Sequence, residues 1–166
     1  MVKEKLVRKL KQASFHFQKM GESRKKDDQF AVECYFSAYL ALLRSVVFYI
    51  ETWMKQSGKT RNKKEWLARI KKWEKNTLSS DQLKKWRCIT RSRNKDIHVE
   101  PIIPEIGSGG YWHNNYWPRG YWAKEYWPNF REFTITDPSK QVYDLFDVCQ
   151  TSIDVAQKLI NEYSTI

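Results

Sequence analysis

Apolar residues recur at helical spacing along most of the chain, separated by lysines and arginines. The first amphipathic segment runs from Lys3 to Met20, and Gly21-Glu22-Ser23 is expected to end it. Asp28 is expected to cap a second helix, which extends to Gln56 and is followed by Gly58. The apolar residues of the first segment are Leu6, Leu10, Phe15 and Phe17.

The second helix differs from the first because it is apolar on nearly every side from Phe30 to Ile50. A helix of this kind belongs in the middle of a bundle. Its charged residues in that range are Glu33 and Arg44, which lie about three turns apart on nearly one line. One interpretation is that this line faces solvent or the ions of another helix. The other is that Arg44 contributes to a substrate-binding cleft.

Two further helices are predicted in the following stretch. The first is short and runs from Lys63 to Lys75. Ser79-Ser80-Asp81-Gln82 has the spacing of a capping box and opens the second, which Pro101 ends. The apolar stripe of the short helix is Trp66, Ile70 and Trp73, and that of the next helix is Leu83, Trp86, Ile89 and Ile97.

Asp137-Pro138 is expected to provide the N-cap and first residue of the last helix, which reaches about Tyr163. Phe133–Thr136, just before it, is predicted to be a strand. The pattern therefore predicts an all-α protein, an up-and-down bundle of four to five helices with an irregular aromatic-rich insertion and short strands before the last helix. The apolar residues of that helix are Val142, Leu145, Phe146, Cys149, Ile153, Ala156, Leu159 and Ile160.

The insertion, residues 102–136 of a single domain spanning 1–166, contains two decapeptides of the form G-Y-W-x-x-x-Y-W-P-x at 110–129. A period of five fits neither a helix nor a strand, so turns are expected. One interpretation is that the aromatic rings pack over the bundle or over a partner subunit. The alternative is that Trp112 and Trp117 bind substrate by stacking on unpaired bases.

Charge is distributed unevenly along the sequence. Residues 1–95 contain 25 Lys and Arg against 9 Asp and Glu, whereas residues 96–166 contain 5 against 10. The net charge of +11 therefore comes from the first part of the chain, which favours a polyanion such as RNA as its partner. A solvated lysine-rich surface is the other explanation.

Composition also excludes several classes of protein. No uncharged stretch is long enough to cross a membrane, and the first residues are basic and amphipathic, so neither membrane insertion nor secretion is expected. Three scattered cysteines, with no paired spacing, are typical of a reduced cytoplasmic protein. No metal-ligand cluster, P-loop or dinucleotide fingerprint is present, so no metal and no cofactor are expected.

The best candidate for catalytic chemistry is Arg93-Asn94-Lys95-Asp96-Ile97-His98, at the end of the fourth predicted helix. Asn94 and His98 are one helical turn apart, and Arg93 is about 140° round from His98. A guanidinium, an amide and an imidazole that titrates near neutrality suit a phosphodiester whose own hydroxyl can be deprotonated, as in RNA. Alternatively, His98 only interacts with the last carbonyls of its helix.

These residues resemble those of the HEPN family (higher eukaryotes and prokaryotes nucleotide-binding). HEPN proteins are small all-α bundles with an Arg and a His separated by four to six residues at a helix end, and active members usually have a polar residue directly after the Arg. Arg93 and Asn94 match that pattern with His98. Arg91 has the six-residue spacing to the same histidine but is followed by Ser92. The resemblance covers residues 1–101 and 137–166.

The resemblance implies a metal-independent endoribonuclease that works as a homodimer with a composite active site. His98 would exchange a proton with the ribose 2′-hydroxyl or the leaving 5′-oxygen, Arg93 would neutralise the phosphorane, and Asn94 would orient either group. Arg91 and Lys95 are predicted to bind substrate. RNA products would then end in a 2′,3′-cyclic phosphate.

Three alternatives remain open at this point. The ribonuclease could serve as a toxin or antiviral-defence effector, with an antitoxin or another regulatory protein as partner. Some HEPN toxins have a tyrosine two residues after the histidine, the target of an adenylylating antitoxin, but this chain has Glu100 there. The chain could instead be a non-catalytic HEPN module that binds nucleotide or RNA. Third, it could be an assembly protein held together by its aromatic repeats.

Overall fold

Five helices and three short strands make up the part of the chain that the computed structural model describes, residues 2–98, 105–108, 131–137 and 140–164. For residues 91–98 the helical backbone is described and the side chains are not. The elements are α1 (Val2–Lys25), α2 (Gln29–Gln56), α3 (Lys63–Thr77), α4 (Ser80–His98), β1 (Glu105–Ser108), β2 (Arg131–Thr136), β3 (Val142–Asp144) and α5 (Leu145–Ser164).

Four of the helices form a bundle around one core, which confirms the predicted fold class. Helix α1 packs against α2 and α5, and α4 packs against α5 and α2. Helix α3 lies outside this set and contributes Trp66 and Trp73, whose rings lie edge-on to Tyr163 of α5. Buried residues from all five helices and from β2 and β3 belong to a single apolar cluster.

Helix α2 lies in the bundle with one face fully buried, but its opposite face is exposed, so the prediction that it occupies the middle of the bundle holds for one face only. On the buried face the Tyr39 hydroxyl donates a 2.8 Å hydrogen bond to the Cys149 carbonyl of α5. Burial raises the pKa of Tyr39 well above its usual value, so the phenol stays protonated and remains a donor. The buried residues are Val32, Phe36, Tyr39, Leu40, Leu43, Val46, Ile50 and Met54.

Within the described ranges, α2 is also the one helix with the length and composition of a membrane span, with a mean hydropathy of 1.4 over its most apolar window. This is weak evidence for a membrane, because core helices of soluble proteins have the same properties. Helix α2 packs against α1, α4 and α5, and 33% of its most apolar window is buried.

Side-chain hydrogen bonds cap the starts of α2, α3 and α4. The Asp28 carboxylate accepts a hydrogen bond from the Ala31 backbone N–H, as predicted, and Asn62 caps α3 through the Glu65 N–H. Ser79 and Gln82 form both bonds of a capping box, at 3.2 and 3.3 Å. These bonds satisfy N–H groups that a helix start otherwise leaves unpaired, so the starts of α2, α3 and α4 are well defined.

The predicted end of the first helix is wrong. Helix α1 continues through Gly21 to Lys25, and Ser23 is buried. A mid-helix glycine costs only about 1 kcal/mol, and this turn packs against α5, where the Arg24 guanidinium lies 4.7 Å from the centre of the Phe146 ring. Phe15 also departs from the predicted core, because 51% of it is exposed.

The predicted start of the last helix is wrong as well. The Asp137 carboxylate accepts a hydrogen bond from the Gln141 N–H, and the Asp137 N–H donates to the Gln141 carbonyl, so Asp137 closes the turn between β2 and β3. Pro138 lies outside the described residues. Helix α5 begins only at Leu145, where the Asp144 carboxylate accepts from the Asp147 N–H. Val142 consequently belongs to a strand and is exposed.

The three strands form an antiparallel sheet in the order β1-β2-β3. Glu105 pairs with Thr134 and Ser108 with Arg131, which makes β1 and β2 neighbours across a long connection. The Tyr-Trp decapeptides belong to that connection in sequence, and they lie outside the described residues, as do Trp112 and Trp117. Phe133 and Ile135 of β2 are buried, in agreement with the predicted strand.

The bond between Tyr39 and Cys149 gives a small, specific stability prediction. Tyr39→Phe is expected to lower the free energy of unfolding by about 1 kcal/mol, because it removes one buried hydrogen bond and keeps the ring. Urea denaturation measures the change. Tyr49→Phe, at an exposed position of the same helix, is the matched control and should leave the midpoint unchanged.

Candidate functional site

Helix α4 includes the whole Arg93-Asn94-x-x-x-His98 set, and His98 is its last residue. Asn94 and His98 are therefore one turn apart on a continuous helix. By helical register, positions 91, 94 and 98 lie on the same side of α4 as Arg87. Position 93 lies on the same side as Trp86. The side chains of residues 91–98, including Lys95, lie outside what is described, so their catalytic and binding roles stay predictions.

The preceding part of α4 is fixed to α3 by one carboxylate. The indole N–H of Trp86 donates a 3.0 Å hydrogen bond to Glu74 Oε1, and the Arg87 guanidinium lies 3.5 Å from Glu74 Oε2. Trp86 is 2% exposed, so this hydrogen bond is largely shielded from water and limits how the indole can be oriented. It links α4 to α3.

Lys85 attaches the same helix to α5. Its ammonium lies 2.7 Å from a carboxylate oxygen of Asp147 and 2.7 Å from one of Asp81. The hydrogen bonds to Asp147 and then Asp81 raise the pKa of Lys85. Because the folded pKa is raised, the contribution of Lys85 to stability is complete below the ordinary lysine range and is lost as pH rises through the folded pKa.

Adjacent lysines make this attachment testable. Lys85→Met is expected to lower the free energy of unfolding by about 1 kcal/mol at neutral pH, since it breaks a partly buried pair of ionic contacts. Lys84→Met, one residue earlier at an exposed position, should change it little. Urea denaturation compares the two variants, and equal midpoints would contradict the attachment.

The remaining candidate that the structure describes is Arg44. It lies on a flank of α2, between the buried face and the exposed one, is half-buried, and has no carboxylate partner among the described residues. Its proposed substrate role stays a prediction.

A shallow groove on α1 beside α2, lined in part by Arg8, Lys9 and Lys11, was missed by sequence reasoning. No acidic residue lines it, and the ring of His16 lies 5.5 Å from Phe15 and 5.9 Å from Tyr35 of α2. Cations beside half-exposed rings suit a phosphate backbone with unpaired bases. The lining residues are Arg8, Lys9, Lys11, Gln12, Phe15, His16 and Leu42.

One sequence signal could have revealed this groove. Arg8, Lys11, Gln12 and Phe15 follow the spacing of one helical face, so a cationic stripe with an exposed ring is readable on α1 alone. The second wall comes from Leu42 of α2, which only the packing of the two helices brings to the groove.

Metal-ligand chemistry finds no support within the described ranges, where no group of three or more His, Cys, Asp or Glu side chains could hold an ion. Burial raises the pKa of the Cys149 thiol well above its usual value, so this thiol is a packing residue and a poor nucleophile.

No protein-family model, no curated protein and no solved structure matches this chain.

Proposed function

We propose that this protein is a metal-independent endoribonuclease of the HEPN type. The observation that carries the proposal is the Arg93-Asn94-x-x-x-His98 set at the end of α4, within an all-α bundle. The combination of motif, position and fold is what the resemblance to HEPN proteins requires. Neither the motif nor the bundle would be specific alone.

The chemistry uses the substrate's own nucleophile. A neutral His98 imidazole accepts the proton of the ribose 2′-hydroxyl, the 2′-oxygen bonds to the adjacent phosphorus, and the bond from phosphorus to the 5′-oxygen breaks. The leaving 5′-oxygen takes a proton from a protonated imidazole, supplied in a homodimer by His98 of the partner subunit. Arg93 neutralises charge on the phosphorane, and Asn94 orients the imidazole or the phosphate.

Substrate binding is assigned to the basic part of the chain. Arg91 and Lys95 adjoin the catalytic set in sequence, and the groove between α1 and α2 offers Arg8, Lys9 and Lys11 for further phosphates. Phosphate contacts of this kind weaken steeply with salt. A cellular role as toxin or antiviral-defence effector, with a neutralising protein as partner, is compatible with this activity.

A non-catalytic RNA-binding module is the second candidate, and the groove favours it because the cations there can bind RNA without any cleavage. The two functions separate in one experiment. Labelled single-stranded RNA and the same sequence as DNA are incubated with the protein in EDTA. Cleavage of RNA alone supports the ribonuclease, whereas salt-sensitive binding of intact RNA supports the module.

A further inference from the structure

An apolar stripe runs along α2 on the side opposite its buried face. Phe30 is 75% exposed and Phe48 is 60% exposed, although both belong to a helix that supplies the centre of the core. Between them the exposed or half-exposed residues nearest the line that joins the two rings are small: Cys34, Ser37, Ala41 and Ser45. Phe30 and Phe48 are separated by about five helical turns, so the stripe is nearly parallel to the helix axis.

The stripe has the same pattern in both directions along the helix. Reversing α2 about a point near residue 39 exchanges Phe30 with Phe48 and Ser37 with Ala41. The same reversal moves Cys34 to position 44, one residue from Ser45, which lies on the same flank of the stripe. A two-fold contact between identical helices places each residue beside its reversed counterpart, so phenylalanine meets phenylalanine and small side chains meet small ones.

Charge follows the same reversal. Glu33 and Arg44 lie together on one flank of the stripe, about 50° from its midline. A two-fold axis near residue 39 places Glu33 beside Arg44 of the partner subunit, and Arg44 beside Glu33 of the partner subunit. Within the described part of a single chain, Glu33 accepts from the neutral Gln29 amide and Arg44 has no carboxylate partner.

We infer that this face of α2 binds a second copy of the chain, as an antiparallel α2–α2 pair. The small side chains in the middle let the helices approach, and the phenylalanines at both ends fill the space where the helices diverge. A shallow crossing of about 20° keeps the whole stripe in contact. Each dimer gains two Glu33–Arg44 ion pairs on the same side of the interface.

This inference gives the proposed homodimer a defined interface, and it assigns Arg44 to a protein partner instead of to RNA. It rests on the exposed face of α2 and not on the catalytic residues. The two proposals can therefore fail separately.

Charge reversal tests the pairing directly. Arg44→Glu places a carboxylate beside Glu33 of the partner subunit, and Glu33→Arg places two guanidinium groups together, so each should raise the dimer dissociation constant at least about tenfold. The double variant Glu33→Arg/Arg44→Glu restores opposite charges and should recover most of the affinity. The matched control exchanges Lys19 and Glu22, an exposed ion pair of α1, and should have no effect.

Sedimentation velocity over a range of concentrations measures the mass, which should be twice the 20.0 kDa of one chain for the wild type. Circular dichroism verifies that each variant is folded. A wild-type monomer at about 100 µM would overturn the inference and leave the face to another chain or to residues 109–130. A double variant as dissociated as the single ones would also overturn it.

RNA cleavage is recorded on the same samples. If the double variant restores the dimer but no sample cleaves RNA, the proposed interface stands and the proposed ribonuclease activity fails. A wild-type monomer that cleaves RNA would overturn the interface and keep the ribonuclease, and it would exclude His98 of the partner subunit as the acid.

Discussion

His98→Ala is expected to lower the rate of RNA cleavage at least about 100-fold, because general acid–base catalysis by a positioned side chain contributes roughly that factor or more. Arg93→Ala should lose a similar factor, since one preorganised charged donor to a developing oxyanion contributes about 100- to 1,000-fold. Single-turnover cleavage of a labelled oligonucleotide measures both losses free of product release.

The controls separate catalysis from binding. Arg61→Ala removes an exposed arginine between α2 and α3 and should leave the rate within about twofold of wild type, as surface positions far from a site generally do. Arg91→Ala is needed as well, because by helical register position 91 continues the same line of α4 as position 98. A larger loss for Arg91→Ala than for Arg93→Ala would mean that Arg91, and not Arg93, contacts the phosphorane. Wild-type activity in His98→Ala would contradict the mechanism.

Trp86→Ala is expected to lower the free energy of unfolding by about 3–5 kcal/mol, the usual cost of truncating a buried tryptophan. The substitution opens a cavity between α3 and α4 and leaves Glu74 without the indole N–H. Trp86→Phe keeps most of the apolar volume and should cost clearly less. Urea denaturation curves fitted with one common m-value give the change in the free energy of unfolding for both variants.

Leu67→Ala provides the reference for Trp86→Ala, because Leu67 is 43% exposed on α3 and its truncation should cost under about 1 kcal/mol. A Trp86→Ala variant as stable as Leu67→Ala would mean that α4 is held chiefly by other contacts. Because Arg93 and His98 belong to the same helix as Trp86, Trp86→Ala should also lose RNA cleavage, even under conditions in which most of the variant is folded.

The helices were predictable where local chemistry decides them. Asp28 and the Ser79–Gln82 capping box start their helices by side-chain bonds within one turn, so the sequence alone indicates them. The helix end predicted at Gly21 was wrong because Phe146 packs against that turn, and no local sequence pattern contains such a long-range contact. The helix start predicted at Asp137 was wrong because an aspartate before proline suits a helix cap and a hairpin turn equally.

The short strands were only partly predictable. Phe133 to Thr136 alternates buried and more exposed residues, which a strand requires. Strands β1 and β3 have four and three residues, too few to establish an alternation, and β1 pairs across a long connection. For the candidate site, sequence reasoning located the Arg93–His98 set on a helix, but the α1–α2 groove needed two helices placed side by side.

The ends of the RNA fragments test the central proposal most directly. Mass spectrometry of a wild-type digest in EDTA should find 2′,3′-cyclic phosphate on the upstream fragment and a 5′-hydroxyl on the downstream one, because the ribose hydroxyl is the nucleophile. Fragments ending in a 3′-hydroxyl and a 5′-phosphate would show that water attacks instead, and would contradict the assignment of His98 and Arg93.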